Sequence, residues 1–172
     1  MNRALPSVMA QTLAPEAIAV SIDHNKEGAW VNRNKTISMA ATKWIAFLDD
    51  DDEFMPIHLE HLVGLATDTG ADVAWGWFEV VNGTDPFPQH RGRYFDIADP
   101  HIFPITALVN RELVEDAKAS FQPDHGTGNW GLQDFPFWKA LWDAGGKFQP
   151  SEPITWRWHH HSSNTSGLPT RW

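Results

Sequence analysis

The sequence has no cysteine among its 172 residues, which excludes disulfide scaffolds, thiolate zinc sites, iron–sulfur clusters and cysteine nucleophiles. Positive charge is also scarce, since 13 basic residues stand against 22 acidic ones and the formal net charge is -9. A general nucleic-acid binder needs a basic surface to neutralise phosphates, so that class is disfavoured. No apolar run approaches the ~20 residues that span a bilayer, and the first residues lack the apolar core of a secretion signal. We therefore expect a cytoplasmic protein with no transmembrane segment.

Aromatic residues and histidines are the unusual part of the composition. The chain has ten tryptophans against one tyrosine, and nine histidines that include a triplet at 159–161. Tryptophan rings can stack on sugar faces, so a carbohydrate-handling surface is one interpretation. Packing in a core is the other, and we favour it for any single ring. A hydrophobic fraction of 42% is sufficient for one domain with a substantial core.

Hydrophobic periodicity predicts strands alternating with helices, because the spacing of apolar residues switches between two and 3.6. Helices are predicted at residues 3–11, 28–41, 56–67, 111–119 and 132–143. Strands are predicted at residues 17–22, 44–48, 72–81 and 105–109, with Phe148 and 154–158 as late candidates. Residues 82–104 are rich in Gly and Pro, which predicts a long functional loop or a short hairpin. This order predicts an α/β fold in a single domain, 1–172, whose mainly parallel, twisted sheet is flanked by helices.

An acidic run, Asp49 to Asp52, follows directly after the apolar strand 44–48, and Asp23 ends another predicted strand. Ligands of open α/β sheets collect at the carboxyl ends of strands, so a site is expected here. Gathering carboxylates without a counter-charge is costly, and a divalent cation such as Mg²⁺ or Mn²⁺, which would hold a pyrophosphate, relieves that cost. The alternative is a solvated acidic turn that caps the helix opened by Pro56. The position after a buried strand favours the metal.

Several segments together resemble a known family. They are Arg3-Ala4-Leu5, the stretch ending in Asp23, Gly28-Ala29 with Arg33-Asn34 behind it, and Trp44 to Asp52 followed by Pro56 and His58-Leu59. In order, spacing and residue type this set resembles family-2 glycosyltransferases of the GT-A fold, best over residues 1–65. The resemblance implies a Rossmann-like nucleotide-binding half, 1–81, and an acceptor and catalytic half, 82–172. It also implies a metal-dependent, inverting transfer of sugar from a nucleotide-diphospho-sugar, expected to be a UDP-sugar, to an acceptor hydroxyl.

The resemblance also implies roles for the residues of the first half. Asp23 matches the acid that contacts the nucleotide base, and Arg33 matches an arginine near the nucleotide and its phosphates. Asp49 and Asp51 match the Asp-x-Asp motif, with Asp49 nearer the ribose and Asp51 the expected metal ligand. Asp52 is a further candidate for the Mn²⁺ or Mg²⁺ ion.

In the second half, Asp134 matches the catalytic base, although the usual Glu before it is Gln133 here. Without the resemblance, Asp134 would be interpreted as an ordinary acid at a helix N-terminus. Asp124 and His125 are competing candidates for the base.

The late Arg-x-His element is matched at residues 157–159. Arg157 is a candidate phosphate clamp, since its guanidinium fork matches phosphate oxygens. His159 and His161 are candidate metal ligands on the same side of a strand, and a solvent-facing strand end is the alternative. The donor and acceptor pocket is expected to include Trp75, Trp77 and Trp130, although core packing explains Trp75 and Trp77 equally well.

One family element has no counterpart, because the chain opens at Met1-Asn2-Arg3 where a first strand is expected. Three consequences are open. The sheet closes up between the strands 17–22 and 44–48, a strand from elsewhere such as a partner chain fills the gap, or the binding of the donor is weakened. A homo-oligomer is compatible with the second case. The alternative functions are a catalytically weak or silent nucleotide- or carbohydrate-binding relative, and a metal-dependent phosphotransferase or hydrolase.

Overall fold

The structure is a computed structural model that describes residues 2–99, 106–123 and 134–159. Over these ranges the helices are α1 (Ala4–Met9), α2 (Ala29–Met39), α3 (His58–Thr69), α4 (Arg111–Asp116) and α5 (Phe135–Asp143). The strands are β1 (Trp44–Ala46), β2 (Glu53–Phe54), β3 (Val73–Val80), β4 (Ala107–Asn110) and β5 (Phe148–Trp158). The predicted order of elements is thus confirmed with two exceptions: the strand at 17–22 is not formed, and the short strand β2 was not predicted. The two late strand candidates form one strand, β5.

Strand direction corrects one part of the predicted fold. The sheet order is β1-β4-β3-β5-β2, and of these neighbouring pairs only β3 and β5 run parallel within the described chain. The expectation of a mainly parallel sheet is therefore wrong. A parallel pair needs a crossover, which α4 and α5 supply between β3 and β5. No α-helix of the described residues lies between β3 and β4, and β4 returns beside β3 in the antiparallel direction.

Helices cover both faces of the central strands. Side chains of a strand alternate between its two faces. Val73 and Trp75 of β3 pack in one cluster with residues of α5, and Ala74 packs in another with residues of α3. The helix α3 ends at Gly70, whose φ of 66° is a left-handed conformation that glycine adopts at low cost. The result is a sheet between helical layers, as expected for an α/β fold.

The predicted strand at 17–22 is not formed. Ile18, Val20 and Ile22 are 42%, 50% and 57% exposed, and residues 17–21 make no backbone–backbone hydrogen bond within the described chain. An apolar run becomes a strand only when a neighbouring strand accepts its hydrogen bonds, and β1 pairs with β4 alone among the described strands. The sheet has therefore not closed around this segment, and Asp23 does not end a strand.

The remaining segments add little regular structure. The described part of residues 82–104 contains one short 3-10 turn, Pro88–His90, rather than a hairpin. Of the helices that the structure describes, none combines the length and the apolar character needed to cross a bilayer.

Candidate active site

Arg33 of α2 connects two carboxylates that are far apart in the sequence. Its Nη2 donates to both oxygens of Asp49, at 3.1 Å each, and its Nη1 donates to Oδ1 of Asp134 at 3.0 Å. The Arg33 side chain is 14% exposed, and that of Asp134 is 21% exposed. Three of the residues that the sequence singles out for nucleotide binding and catalysis thus lie in direct contact.

Three different elements position this cluster, which we call the arginine cluster (Arg33, Asp49 and Asp134). Arg33 is the fifth residue of α2, Asp49 lies three residues after the end of β1, and Asp134 directly precedes α5. An acid beside a helix N-terminus is stabilised by the helix dipole, which suits Asp134 in this position. The segment after β1 and the start of α5 thereby bring the two carboxylates to the guanidinium on α2.

Burial and charge act in opposite directions on Asp134. Burial, together with the nearby charge of Asp49, raises the pKa of Asp134 to about 6 although the Arg33 guanidinium lowers it. Burial likewise lowers the pKa of Arg33, but Asp49 and Asp134 outweigh this effect and raise it. At neutral pH the arginine is charged and Asp134 is mostly ionised, so that its carboxylate can accept a proton.

A cluster of aromatic rings packs beneath the Arg33 guanidinium. The Arg33 Cζ lies 5.4 Å from the centroid of the Phe121 ring, and that ring stacks on Phe137 at 4.3 Å. Phe47 contacts both rings edge-on. The Arg33 Nε is buried and finds no acceptor among the residues that the structure describes. One N–H donor of the guanidinium is therefore not satisfied by the described residues.

The other end of the acidic run faces inward. Asp52 is 2% exposed, and its Oδ1 accepts a hydrogen bond from the backbone N–H of His159 at 2.8 Å. Burial raises the pKa of Asp52 to about 8, although the His159 N–H lowers it. Asp51 is partly exposed, and its backbone oxygen accepts a hydrogen bond from Arg3 at 3.3 Å. Adjacent aspartates therefore have different environments, and Asp49 alone of the four pairs with Arg33.

A second charged group lies on one face of β2, β3 and β5. Arg157 donates to Glu79 at 2.6 Å and to Glu53 at 3.3 Å, and the His159 ring lies 3.3 Å from Glu53. Burial raises the pKa of Glu53, but His159 and Arg157 outweigh it and the net pKa is lowered. These four side chains line an open cavity of about 410 Å³ together with Val80, Val81 and Asn82. Arg157 is thus paired with carboxylates beside a cavity large enough for part of a ligand.

The structure places the other predicted residues as follows. Asp23 accepts hydrogen bonds from the backbone N–H groups of Glu27 and Gly28, which lower its pKa and prepare the start of α2. Trp75 and Trp77 are each 1% exposed in two different core clusters, so their role in a pocket stays a prediction. Trp130 and His161 lie outside the described residues, as do Asp124 and His125.

A preformed metal cage is not present in the part of the chain that the structure describes, because no group of three His, Asp or Glu side chains there is arranged to hold an ion. A magnesium site seldom needs one, since Mg²⁺ is usually held by one or two carboxylates plus substrate phosphates. Asp51 lies in the turn at residues 50–51 and is partly exposed. Its carboxylate oxygens are hard donors of the kind that bind Mg²⁺ together with a phosphate. The residues therefore fit an ion that binds together with a phosphorylated ligand.

Sequence reasoning missed the residues that support the cluster. Phe121 packs under Arg33 and is itself bonded by Asn34, and Glu53 and Glu79 flank Arg157. The adjacency of Asn34 to Arg33 was the available signal for the first pair. The two glutamates could have been found from strand pairing, because Glu53, Arg157 and Glu79 are in register across β2, β5 and β3.

Comparison with known proteins identifies a family. The sequence model of the family described as "Glycosyl transferase family 2" matches residues 7–139, which is most of the chain. Succinoglycan biosynthesis protein ExoO from Rhizobium meliloti (strain 1021) is 33% identical over 79 residues, covering 46% of this chain and 22% of that protein.

Crystal structures of S. aureus TarS share the fold. TarS 1-349 in complex with UDP-GlcNAc aligns with a TM-score of 0.69 at 16% identity, covering 87% of this chain and 44% of that chain. TarS 1-349 in complex with UDP aligns with a TM-score of 0.61 at 20% identity, covering 77% and 40%. The chain spans less than half the length of these proteins. The expected α/β, GT-A-like fold is confirmed by the likeness, with the sheet directions given above.

Proposed function

Because the chain belongs to glycosyl transferase family 2, we propose that it is a metal-dependent, inverting glycosyltransferase. The donor is a nucleotide-diphospho-sugar, and the acceptor is a hydroxyl group. The observation that carries this proposal is the arginine cluster, in which Arg33 bridges Asp49 and Asp134 at 3.0–3.1 Å. One positive group is shared there between the residue proposed for the nucleotide and the residue proposed as the base.

Asp134 is the proposed general base. Its carboxylate takes the proton of the acceptor hydroxyl while the hydroxyl oxygen bonds to the anomeric carbon of the donor sugar. The bond from that carbon to the diphosphate oxygen breaks, and attack from the opposite side inverts the configuration. A base of this kind works best with a pKa near the operating pH, and the pKa of about 6 for Asp134 supports the role.

On the donor side, Asp49 and Asp23 are proposed to bind the nucleoside, and Arg33 and Arg157 the diphosphate. The buried Arg33 Nε without an acceptor among the described residues supports this, because a phosphate oxygen would satisfy it. Arg157 stands beside the cavity of about 410 Å³ and would exchange one of its two carboxylates for a phosphate oxygen.

For the cofactor, we assign Mn²⁺ or Mg²⁺ to Asp51, with Asp52, His159 and His161 as further candidate ligands. When bound, such an ion neutralises the charge that develops on the leaving diphosphate. Asp51 supplies the hard oxygen donors, and the diphosphate would supply others.

A UDP-sugar is the proposed donor. It is supported by the TarS structures whose complexes contain UDP-GlcNAc and UDP, of which the first matches 87% of this chain. Trp75, Trp77 and Trp130 stay candidates for the sugar pocket. The single-domain organisation, a cytoplasmic location and the formation of a homo-oligomer also stay predictions.

The proposal is tested by release of nucleoside diphosphate from a panel of nucleotide sugars, with and without Mn²⁺. Asp134→Asn should lower turnover by a factor of about 10²–10⁴, the usual worth of a general base, and leave UDP binding in calorimetry unchanged. Asp143→Asn is a matched control, because Asp143 ends the same helix and is exposed. UDP binding without turnover of any donor would instead support the catalytically silent relative.

A further inference from the structure

Neighbouring residues of α2 reach two separate parts of the second half of the chain. Arg33 contacts Asp134, as described above. Asn34 makes a two-point contact with the backbone of Phe121, donating from Nδ2 to the carbonyl oxygen at 2.8 Å and accepting at Oδ1 from the N–H at 2.9 Å. Both groups of the side-chain amide are therefore used on one partner, 87 positions away.

Phe121 packs directly under the arginine cluster. Its ring is fully buried, lies under the Arg33 guanidinium at 5.4 Å, and stacks face to face on Phe137 with an interplanar angle of 8°. Phe137 belongs to α5, which begins directly after Asp134. A shift of Phe121 would therefore displace the support of Arg33 and the helix that carries Asp134 at the same time.

We propose that Asn34 is a positioning residue for the base: by fixing Phe121 it holds the Arg33 guanidinium against Asp134. The inference rests on the proposed function only in taking Asp134 as the base. The geometry of the contact itself stands without it. Asn34 touches neither Asp49 nor Asp134, so its action passes through Phe121 and Arg33.

Asn32 provides the contrast on the same helix. Its side chain accepts a hydrogen bond from Ser21 at 2.6 Å, donates to the Gly28 carbonyl at 3.0 Å, and also hydrogen-bonds with Asp23, but none of these partners belongs to the arginine cluster. Asn32→Ala and Asn34→Ala therefore remove the same chemical group from one helix. Only the second removes the support of the arginine cluster.

The experiment follows the Asp134 carboxyl group by carbon-detected NMR titration in the protein without substrate or metal. Among the described residues, the charged groups that face Asp134 are Arg33 from α2 and Asp49 after β1. An opposite charge within contact lowers the pKa of an aspartate by about 1–3 units, so Asn34→Ala should raise the Asp134 midpoint by about one unit. Asn32→Ala should leave it unchanged, and Asn34→Ala in an Arg33→Met background should add nothing to the shift.

Two outcomes overturn the inference: an unshifted midpoint in Asn34→Ala, or an equal shift in Asn32→Ala, which would indicate general loosening of the helix. If Asn34→Ala does not fold, Phe121→Leu keeps the backbone contact, removes the ring, and should shift the midpoint in the same direction. The titration needs no turnover, so it judges the role of Asn34 even if no donor is hydrolysed. In an active enzyme, the acid limb of the kcat/KM profile should move by the same amount.

Discussion

Two inward-facing carboxyl groups of the site, Asp134 and Asp52, differ in the partner that each one meets. Asp134 contacts the Arg33 guanidinium, while Asp52 accepts a hydrogen bond from the backbone N–H of His159 and has Arg3 as a more distant cation. Burial raises both pKa values, to about 6 for Asp134 and to about 8 for Asp52. The comparison teaches that a direct cation opposes the effect of burial more strongly than one hydrogen bond does, and that the charges of Asp51 and Asp49 add to the rise at Asp52.

The largest expected effect follows from removing that cation. Arg33→Met leaves Asp134 buried without a counter-charge, and loss of one partner of a buried pair costs about 3–5 kcal/mol of unfolding free energy. Urea unfolding at neutral pH measures it. The double variant Arg33→Met/Asp134→Leu should recover much of the loss, because the buried carboxylate is removed and the remaining partner, Asp49, is 42% exposed. A double variant as unstable as the single one would show that Arg33 acts through packing on Phe121 instead.

The next effect concerns Asp52, which forms no salt bridge with a described residue, although the charge of Arg3 lowers its pKa slightly. Between about pH 4 and pH 8 the folded protein retains a proton on Asp52 that the unfolded chain has released, so stability falls as pH rises through this window. Asp52→Asn keeps the acceptor for the His159 N–H and abolishes the titration. The variant should be more stable than wild type by about 1–3 kcal/mol at pH 8, with the difference vanishing near pH 4.

Thermal unfolding across this pH range, in the presence of a chelator, measures the Asp52 effect. A constant difference between Asp52→Asn and wild type at all pH values would contradict it. Asp68→Asn is the matched control, since Asp68 is exposed on α3 and far from the acidic run in sequence. That control should track the wild-type curve.

The contrast between the two carboxyl groups also extends to the pH dependence of activity. The kcat/KM profile reports ionisations of the free enzyme, so the acid limb should have its midpoint near 6, the pKa of Asp134, and fall about tenfold per pH unit below it. A midpoint close to 4 would mean that the base is solvated or is a different residue. Arg33→Lys keeps the charge but loses the fork, and should move the midpoint less than Arg33→Met.

Which parts of the fold and of the site could be predicted from the sequence depends on whether the relevant contacts are local or join residues far apart in the chain. Arg33, Asp49 and Asp134 could be singled out because each matches a segment of the family that the sequence resembles, but their mutual contact could not be predicted. The different fates of Asp49 and Asp52 were not, because neighbouring aspartates look alike until the His159 N–H reaches one of them. Likewise, the apolar stretch 17–22 has the local pattern of a strand, and only the sheet reveals that no described strand pairs with it.

The smallest effect on stability is expected for the solvent-exposed ion pair between Glu79 and Arg157. Glu79 and Arg157 are each 44% exposed, and exposed pairs contribute at most about 1 kcal/mol, so Glu79→Gln should hardly change the unfolding free energy. The same change frees Arg157 from one carboxylate, and if Arg157 clamps the diphosphate then UDP should bind up to about fivefold more tightly. Calorimetry measures this against Glu152→Gln, an exposed glutamate on the same strand as Arg157. Equal UDP affinity in the two variants would argue that Arg157 only pairs with the glutamates of the neighbouring strands. Arg33 would then be the remaining proposed contact for the phosphates.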